Sequence, residues 1–161
     1  MQPEPSPSLI ALLNDARRRF AEELGPRLEA AGYGDIRAAH GCVFGHIPAA
    51  GARLTSLAEA AQLTKQAVGE VATDLEQLGY LERVPDPTDG RAKILALTPK
   101  GRVAQQTGRR IIREIEAEWA ERYGEREMAV LRATLEGIVG DPADPADAEA
   151  PVADAHAAAL R

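Results

Sequence analysis

Along most of this chain, apolar residues recur at three- and four-residue steps, the spacing that puts them on one face of an α-helix. The first such stretch covers residues 8–31, and Ser8 is a residue type that can cap its start. Gly25-Pro26 lies inside it, where the proline removes a backbone donor and clashes with the preceding turn. We therefore expect one helix that is kinked or interrupted at this pair.

Three shorter apolar stretches follow, and the first two begin at residues that can cap a helix. A second helix is expected over residues 36–47, with Asp35 as its cap, and a third begins near Thr55-Ser56, whose hydroxyls can cap it. A fourth covers residues 64–78. Two helices of unequal length joined by a short link, as the third and fourth are, are typical of a helix-turn-helix.

The periodicity then changes from helical to extended. Residues 81–84 and 92–97 favour strands, and residues 85–91 between them are rich in Pro, Asp, Thr and Gly, which predicts a β-hairpin with a polar tip. Helical spacing returns over residues 98–123 and 125–139. The hairpin is therefore flanked by helices on both sides.

This order of elements predicts a mainly α fold with a small β-hairpin wing. Residues 35–101 form the expected winged helix-turn-helix domain, and residues 8–34 and 102–139 form an additional helical region. The Pro-rich residues 1–7 and the acidic, Ala/Pro-rich residues 140–161 have little to bury, so we expect both to be disordered.

The net charge is −6, and a negative total charge disfavours a nucleic-acid partner. However, the last 22 residues hold one Arg against five acidic residues, so they account for −4 of that total. The rest of the chain is nearly neutral. Binding to DNA is then permitted if the basic residues gather on one face.

In a winged helix the second helix of the pair enters the major groove and the hairpin reaches a neighbouring minor groove. Gln66 can pair with an adenine edge and Lys65 with guanine or phosphate, whereas Glu70 would either accept from cytosine or repel phosphate. Arg91 at the hairpin tip suits a narrow minor groove. The candidate DNA-binding residues are Thr55, Ser56, Thr64, Lys65, Gln66, Gly69, Glu70, Thr73, Arg83, Arg91 and Lys93.

Three segments carry a resemblance to a known family. They are Leu-Glu-x-x-Gly-Tyr-Leu-Glu-Arg at 75–83, Asp-Pro-x-Asp-Gly-Arg at 86–91 and Leu-Thr-x-x-Gly at 97–101. In this order and spacing they resemble the DNA-binding core of the MarR (multiple antibiotic resistance regulator) family. The resemblance extends less distinctively over residues 8–139.

The resemblance implies a transcriptional regulator, usually a repressor, that binds a pseudo-palindromic DNA site as a homodimer. In that family the first and last helices of both chains intertwine, which corresponds here to residues 8–31 and 103–139. Many members release DNA when a small aromatic, often phenolic, effector binds between the dimerisation helices and the DNA-binding lobe. Residues that could line such a pocket here are Arg17, Tyr33, Arg37 and His40.

Cys42 and His46 lie four residues apart on the expected second helix and could form half of a metal site. No third ligand is evident nearby, so we expect no metal and no cofactor. Cys42 is also the only cysteine, so a redox role would need an intermolecular disulfide and a lowered thiol pKa. We expect it instead to pack as a buried apolar residue.

Other classes of protein fit less well. An enzyme is not expected, because the chain has no Gly-rich phosphate loop after a strand and no evident nucleophile with a base. A winged helix that binds only other proteins is the alternative; Lys65, Gln66 and Arg91 argue against it, and the acidic balance keeps it open. The chain has no apolar stretch long enough to cross a membrane and no secretion signal, so a cytoplasmic location is expected.

Overall fold

The computed structural model describes residues 6–140, and over that range it contains six helices and one two-stranded antiparallel hairpin. The elements are α1 (Leu9–Ala30), α2 (Ala38–Phe44), α3 (Leu54–Ala61), α4 (Lys65–Gln77), β1 (Leu81–Asp86), β2 (Asp89–Leu97), α5 (Pro99–Tyr123) and α6 (Glu125–Gly140). This confirms the predicted mainly α fold with a hairpin wing. The predictions of disorder for residues 1–7 and 140–161 fall almost entirely outside the described residues.

The chain divides into two compact units between Ala117 and Glu118, so α5 belongs partly to each. The first unit contains α1 to α4, the hairpin and most of α5. The second contains the end of α5 and all of α6. The predicted division into a DNA-binding domain and a separate dimerisation region is not tested by this partition.

The first helix begins as the sequence predicts and continues through Gly25-Pro26, where the sequence predicts a kink or an interruption. The Ser8 hydroxyl accepts a hydrogen bond from the Ala11 N–H at 3.3 Å, which caps the helix. Pro26 lies inside α1, which continues to Ala30. The prediction that the helix is interrupted at Gly25-Pro26 is therefore wrong. A proline removes only one N–H from a helix of 22 residues, and the neighbouring turns keep theirs.

The second helix is shorter than predicted, and its cap is a different residue. Arg37 occupies the N-cap position, and its backbone N–H donates to His40 Nδ1 at 3.2 Å. Asp35 instead accepts from the Tyr80 hydroxyl at 2.6 Å, so this predicted cap is wrong because a partner 45 residues away binds the carboxylate. The helix ends at Phe44, which leaves His46 beyond it.

The third helix starts at Leu54, with Arg53 at the N-cap and no side-chain cap hydrogen bond. Thr55 and Ser56 therefore lie within its first turn and do not cap it, so that part of the prediction is wrong. The Arg53 guanidinium is held elsewhere, by Asp86 of the hairpin at 2.7 Å. A tertiary ion pair thus positions the residue that begins α3.

The core of the first unit lies where α2, α3, α4, the hairpin and the start of α5 meet. Its fully buried members include Tyr80, whose ring packs edge-on against Phe44 with centroids 5.9 Å apart. Burial and the hydrogen bond to Asp35 raise the pKa of Tyr80 well above its usual value. The buried apolar residues are Val43, Phe44, Ile47, Leu57, Ala58, Val68, Ala72, Leu75, Tyr80, Leu81, Leu95, Leu97 and Ala104.

The hairpin is longer, and its turn tighter, than the sequence indicates. Asp86 pairs with Asp89 at the end of the ladder, so only Pro87 and Thr88 remain in the turn, where residues 85–91 were expected. The Asp86 carboxylate accepts from the Thr88 N–H and hydroxyl, at 2.8 and 2.7 Å. These bonds close the turn early and let the strands extend.

In the second unit, the Trp119 and Tyr123 rings at the end of α5 pack at right angles with centroids 6.2 Å apart. The helix α6 has no buried residue within the described part of the chain. Four of its apolar side chains are at least half exposed or nearly so: Val130, Leu131, Ile138 and Val139. Among residues 6–140, no helix has the length and apolar character required to cross a bilayer.

Candidate nucleic-acid interface

The two sides of α4 differ in polarity as its sequence predicts. Val68, Ala72 and Leu75 are fully buried against the core. The polar candidates all lie on the exposed side: Thr64, Lys65, Gln66, Glu70 and Thr73. The helix therefore presents hydrogen-bonding side chains outward while its apolar residues hold it in place.

Two threonines on this surface are in different hydrogen-bonding states. The Thr64 hydroxyl accepts from the Ala67 N–H at 3.2 Å as the N-cap, so its own proton stays available to a phosphate oxygen. The Thr73 hydroxyl donates to the Gly69 carbonyl at 2.9 Å, so its proton is used within the helix. Of the two, Thr64 is the one arranged to donate to phosphate.

Gln66 and Glu70 are joined on the exposed surface of α4. The Gln66 Nε2 donates to Glu70 Oε1 at 3.2 Å. Both residues line a surface groove of about 480 Å³ together with Gly69, Thr73, Asp74 and Arg83. In this groove, the hairpin residue Arg83 lies next to the outer side of α4. A surface that contacts one stretch of DNA requires these two elements to be neighbours.

The hairpin presents two of the predicted cations. Arg91 and Lys93 are exposed, and the Arg91 N–H donates to Asp89 Oδ1 at 3.1 Å. Hydrogen bonds from Thr88, and then from Arg53, lower the pKa of Asp86 to about 2, so this carboxylate is ionised at neutral pH. The Arg53–Asp86 pair thereby ties the hairpin to the start of α3.

Arg83 already has a partner within the chain. Its Nε lies 3.0 Å from both carboxylate oxygens of Glu76, near the end of α4. A phosphate would have to compete with this carboxylate for the guanidinium.

The two remaining candidates, Thr55 and Ser56, are exposed in the first turn of α3.

Two of the four candidate effector-pocket residues are in direct contact with each other. Arg37 and His40 lie together: the guanidinium donates to Asp74 Oδ2 at 2.6 Å and lies 3.3 Å from His40 Nε2. Burial, and then the charge of Arg37, lower the pKa of His40, so the ring is neutral. Tyr33 packs against Tyr80, with ring centroids 6.3 Å apart, and Arg17 is exposed on α1.

Cys42 is half-buried, and its thiol donates to the Ala39 carbonyl at 2.8 Å. Burial raises the pKa of the thiol, which lowers the fraction of reactive thiolate. Because α2 ends at Phe44, Cys42 and His46 do not share a helical face as predicted. Residues 6–140 contain no group of three His, Cys, Asp or Glu side chains arranged to hold a metal ion.

Sequence reasoning missed the acidic partners that organise this surface. Asp74, Glu76 and Asp86 hold Arg37, Arg83 and Arg53 respectively. These pairs are 37, 7 and 33 residues apart in the chain, outside the three- and four-residue spacing that identifies ion pairs on a helix. Asp86 had a local signal, the Asp-x-Thr turn pattern, but nothing nearby in sequence indicates its arginine.

Comparisons with known proteins identify the fold. Residues 35–92 match the model of the MarR family. Wild-type MarR from E. coli in its apo form is 22% identical with a TM-score of 0.65, covering 83% of this chain and 98% of that one. No curated protein sequence matches this chain.

Two other solved structures are also similar to this chain. An S. aureus MepR–DNA complex has 22% identity and a TM-score of 0.69, covering 84% of this chain and 98% of that one. CouR from Rhodococcus jostii RHA1 bound to p-coumaroyl-CoA has 21% identity and a TM-score of 0.68, covering 83% and 92%.

The family match covers both helices of the helix-turn-helix and the hairpin through Ala92. Members of the MarR family are transcriptional regulators and not enzymes. This confirms the prediction that the protein is not an enzyme. Residues 35–92 therefore form a winged helix-turn-helix domain of the MarR family.

Proposed function

We propose that this protein is a cytoplasmic, sequence-specific DNA-binding repressor that binds a pseudo-palindromic operator as a homodimer. In this proposal α4 enters the major groove and the hairpin reaches the adjacent minor groove. A small aromatic effector releases the protein from DNA. The observation that carries the proposal is the exposed polar side of α4, which shares a groove with the hairpin residue Arg83.

The side chains on this surface have the chemistry that DNA recognition requires. Lys65 and Gln66 are exposed in the first turn of α4, the part of a recognition helix that contacts base edges. Arg91 is exposed next to the hairpin turn, where a guanidinium can enter a minor groove. The similar MepR structure is a complex with DNA, which supports the same use of the fold here.

Unpartnered apolar side chains support a homodimer. On α1, Leu9, Ile10 and Leu12 are at least half exposed. On α6, Val130, Ile138 and Val139 are more than half exposed as well. Burying side chains of this kind favours association by about 25 cal/mol per Å² of apolar surface before the costs of ordering. The residues fall on the helices that the family resemblance assigns to dimerisation.

An aromatic effector is supported by one neighbour. The similar CouR structure contains p-coumaroyl-CoA, a phenolic thioester. In this chain the candidate residues Arg37 and His40 contact Asp74 of α4, so a ligand that binds Arg37 would compete with a carboxylate of the recognition helix. An effector that binds Arg37 would thereby act directly on a contact of α4.

The proposal is tested by fluorescence anisotropy on the DNA upstream of the protein's own gene, over a series of salt concentrations. Arg91→Ala and Gln66→Ala are compared with wild type, and Arg113→Ala, an exposed arginine of α5, is the control that removes the same charge elsewhere. We expect wild type and the control to bind this DNA more tightly than a scrambled duplex. Both interface variants should weaken that binding, by roughly tenfold or more for Gln66→Ala.

Binding that is equal for all duplexes, and equal for all variants, would contradict the proposal. It would favour a winged helix that binds other proteins. The protein could bind the DNA without being released by any of a panel of aromatic acids. That result would contradict the proposed effector and leave the proposed DNA binding in place.

A further inference from the structure

The middle of α4 contains a glycine that the fold itself does not require. A Cβ at Gly69 would have no atom within 4 Å, so no internal packing excludes a side chain. A glycine inside a helix costs about 0.5–1 kcal/mol relative to alanine. The open space lies in the groove between Gln66, Glu70 and Thr73, where an external partner can approach the backbone closely.

Glu70 differs from the other acidic residues at the outer side of α4. Asp74 and Glu76 each hold an arginine, whereas Glu70 forms no ion pair within residues 6–140. Its partner is the Gln66 amide, which donates to one carboxylate oxygen and leaves the other free to accept. An exposed carboxylate on a surface that approaches phosphates weakens binding, unless it gains a specific donor from the DNA.

The chemistry of the base edges indicates which base amino group can donate to the Glu70 carboxylate. In the major groove only the amino groups of cytosine (N4) and adenine (N6) donate hydrogen bonds. Adenine places the N7 acceptor beside its amino group, and a carboxylate is repelled there. Cytosine has no acceptor next to N4 on that edge, so an acceptor-only side chain favours cytosine.

We propose that Gln66 and Glu70 act as one unit that selects a cytosine in each half of the operator. The Glu70 carboxylate accepts from cytosine N4, and the Gln66 amide orients that carboxylate from one turn earlier. Gly69 lets the base edge come close to the helix. This inference depends on the proposed function and specifies which base the recognition helix selects.

The simpler explanation is that the Gln66–Glu70 hydrogen bond only stabilises the helix surface. Pairs of this type contribute about 0.2–0.5 kcal/mol to an isolated helix. In that case replacing Glu70 would change the affinity for every DNA sequence by the same factor. A change in base preference at one position therefore separates the two explanations.

The experiment selects bound sequences from a random duplex library with the full-length wild type, Glu70→Gln, Gln66→Ala and the control Glu59→Gln. Glu59 is exposed on α3, so the control removes the same charge from the neighbouring helix. We expect wild type and control to enrich a palindrome with one cytosine per half-site that depends on Glu70. In Glu70→Gln the preference for that cytosine should fall roughly tenfold while overall affinity rises.

The outcomes are distinguishable. If wild type enriches a motif and Glu70→Gln enriches the same motif with the same preferences, the cytosine assignment is overturned and the proposed function stands. A Glu70-dependent preference for a different base also overturns it. If Gln66→Ala keeps the full cytosine preference, the orienting role of the amide is overturned. If wild type enriches no motif, both proposals fail.

Discussion

Gly101 shows how a residue without a side chain sets the position of α5. A Cβ at this position would lie 2.0 Å from the Tyr80 carbonyl oxygen, far inside van der Waals contact. The same carbonyl accepts the Thr98 N–H at 3.1 Å, so the backbone around Tyr80 and the start of α5 are held together. Only glycine permits this approach, which keeps α5 close to the hairpin and the end of α4.

Replacing Gly101 with alanine should destabilise the protein. We expect Gly101→Ala to lower the free energy of unfolding by about 1–3 kcal/mol or more, because a backbone atom must move to admit the methyl group. Gly108→Ala is the matched control on the same helix, since its Cβ would meet nothing within 4 Å. The control should be neutral or stabilising by up to about 1 kcal/mol. Urea denaturation at one protomer concentration measures both, and equal midpoints would contradict the argument.

At the scale of the element, the hairpin is stabilised by one ionised carboxylate. Asp86 is buried, closes the turn through Thr88 and holds Arg53 at the start of α3. These bonds lower its pKa to about 2 from an ordinary value of 3.8. Because the pKa is depressed in the folded state, the stabilisation is present above the ordinary value and is lost as pH falls toward 2.

Unfolding measurements between pH 2 and pH 7 test this contribution. The difference in unfolding free energy between wild type and Asp86→Asn should be largest at neutral pH and should shrink as pH falls through the pKa of about 2. Thr88→Ala, which removes the largest cause of the shift, should move this loss to higher pH. A difference that stays constant across the range would show that the ionised form of Asp86 is not what stabilises the hairpin.

The carboxylate of Glu76 competes with DNA for a hairpin cation. Since Glu76 holds Arg83, we expect Glu76→Gln to free the guanidinium for phosphate and to raise operator affinity about threefold to tenfold at low salt. The salt dependence should steepen by about one counterion. Glu114→Gln, which breaks a similar Arg–Glu pair on α5, is the control and should leave affinity unchanged. Unchanged or weaker binding by Glu76→Gln would show that Arg83 does not contact phosphate.

At the scale of the whole molecule, the protomer leaves apolar side chains exposed on its first and last helices. Ile10 on α1 is 65% exposed and Val139 on α6 is 74% exposed. The proposed homodimer would bury exposed apolar side chains of this kind.

A charge on the exposed apolar side of α1 should separate the protomers without unfolding them. We expect Ile10→Glu to shift the protein toward monomer in sedimentation velocity and to weaken operator binding about 100-fold or more, since two linked recognition helices bind more tightly than one. Its circular dichroism should match wild type. Arg19→Glu introduces the same residue elsewhere on the exposed part of α1 and serves as the control. If Ile10→Glu remains fully dimeric, α1 does not form the interface.

Local pattern was sufficient to predict most of the elements. The period of the apolar residues predicted α4, its start near Thr64 and its buried side. It failed at the starts of α2 and α3, because Asp35 and Arg53 bind partners on distant segments. It also failed to predict the length of the strands, which depends on bonds between Asp86 and Thr88.

Neighbours within a few positions along the chain set the order of the elements and the outward side of α4. They also set which residue types are available on that side. The fold, and not the local sequence, determines which cations are engaged by carboxylates and that His40 is buried and neutral. Those properties depend on packing between segments up to 45 residues apart, and no spacing rule along the chain encodes such contacts.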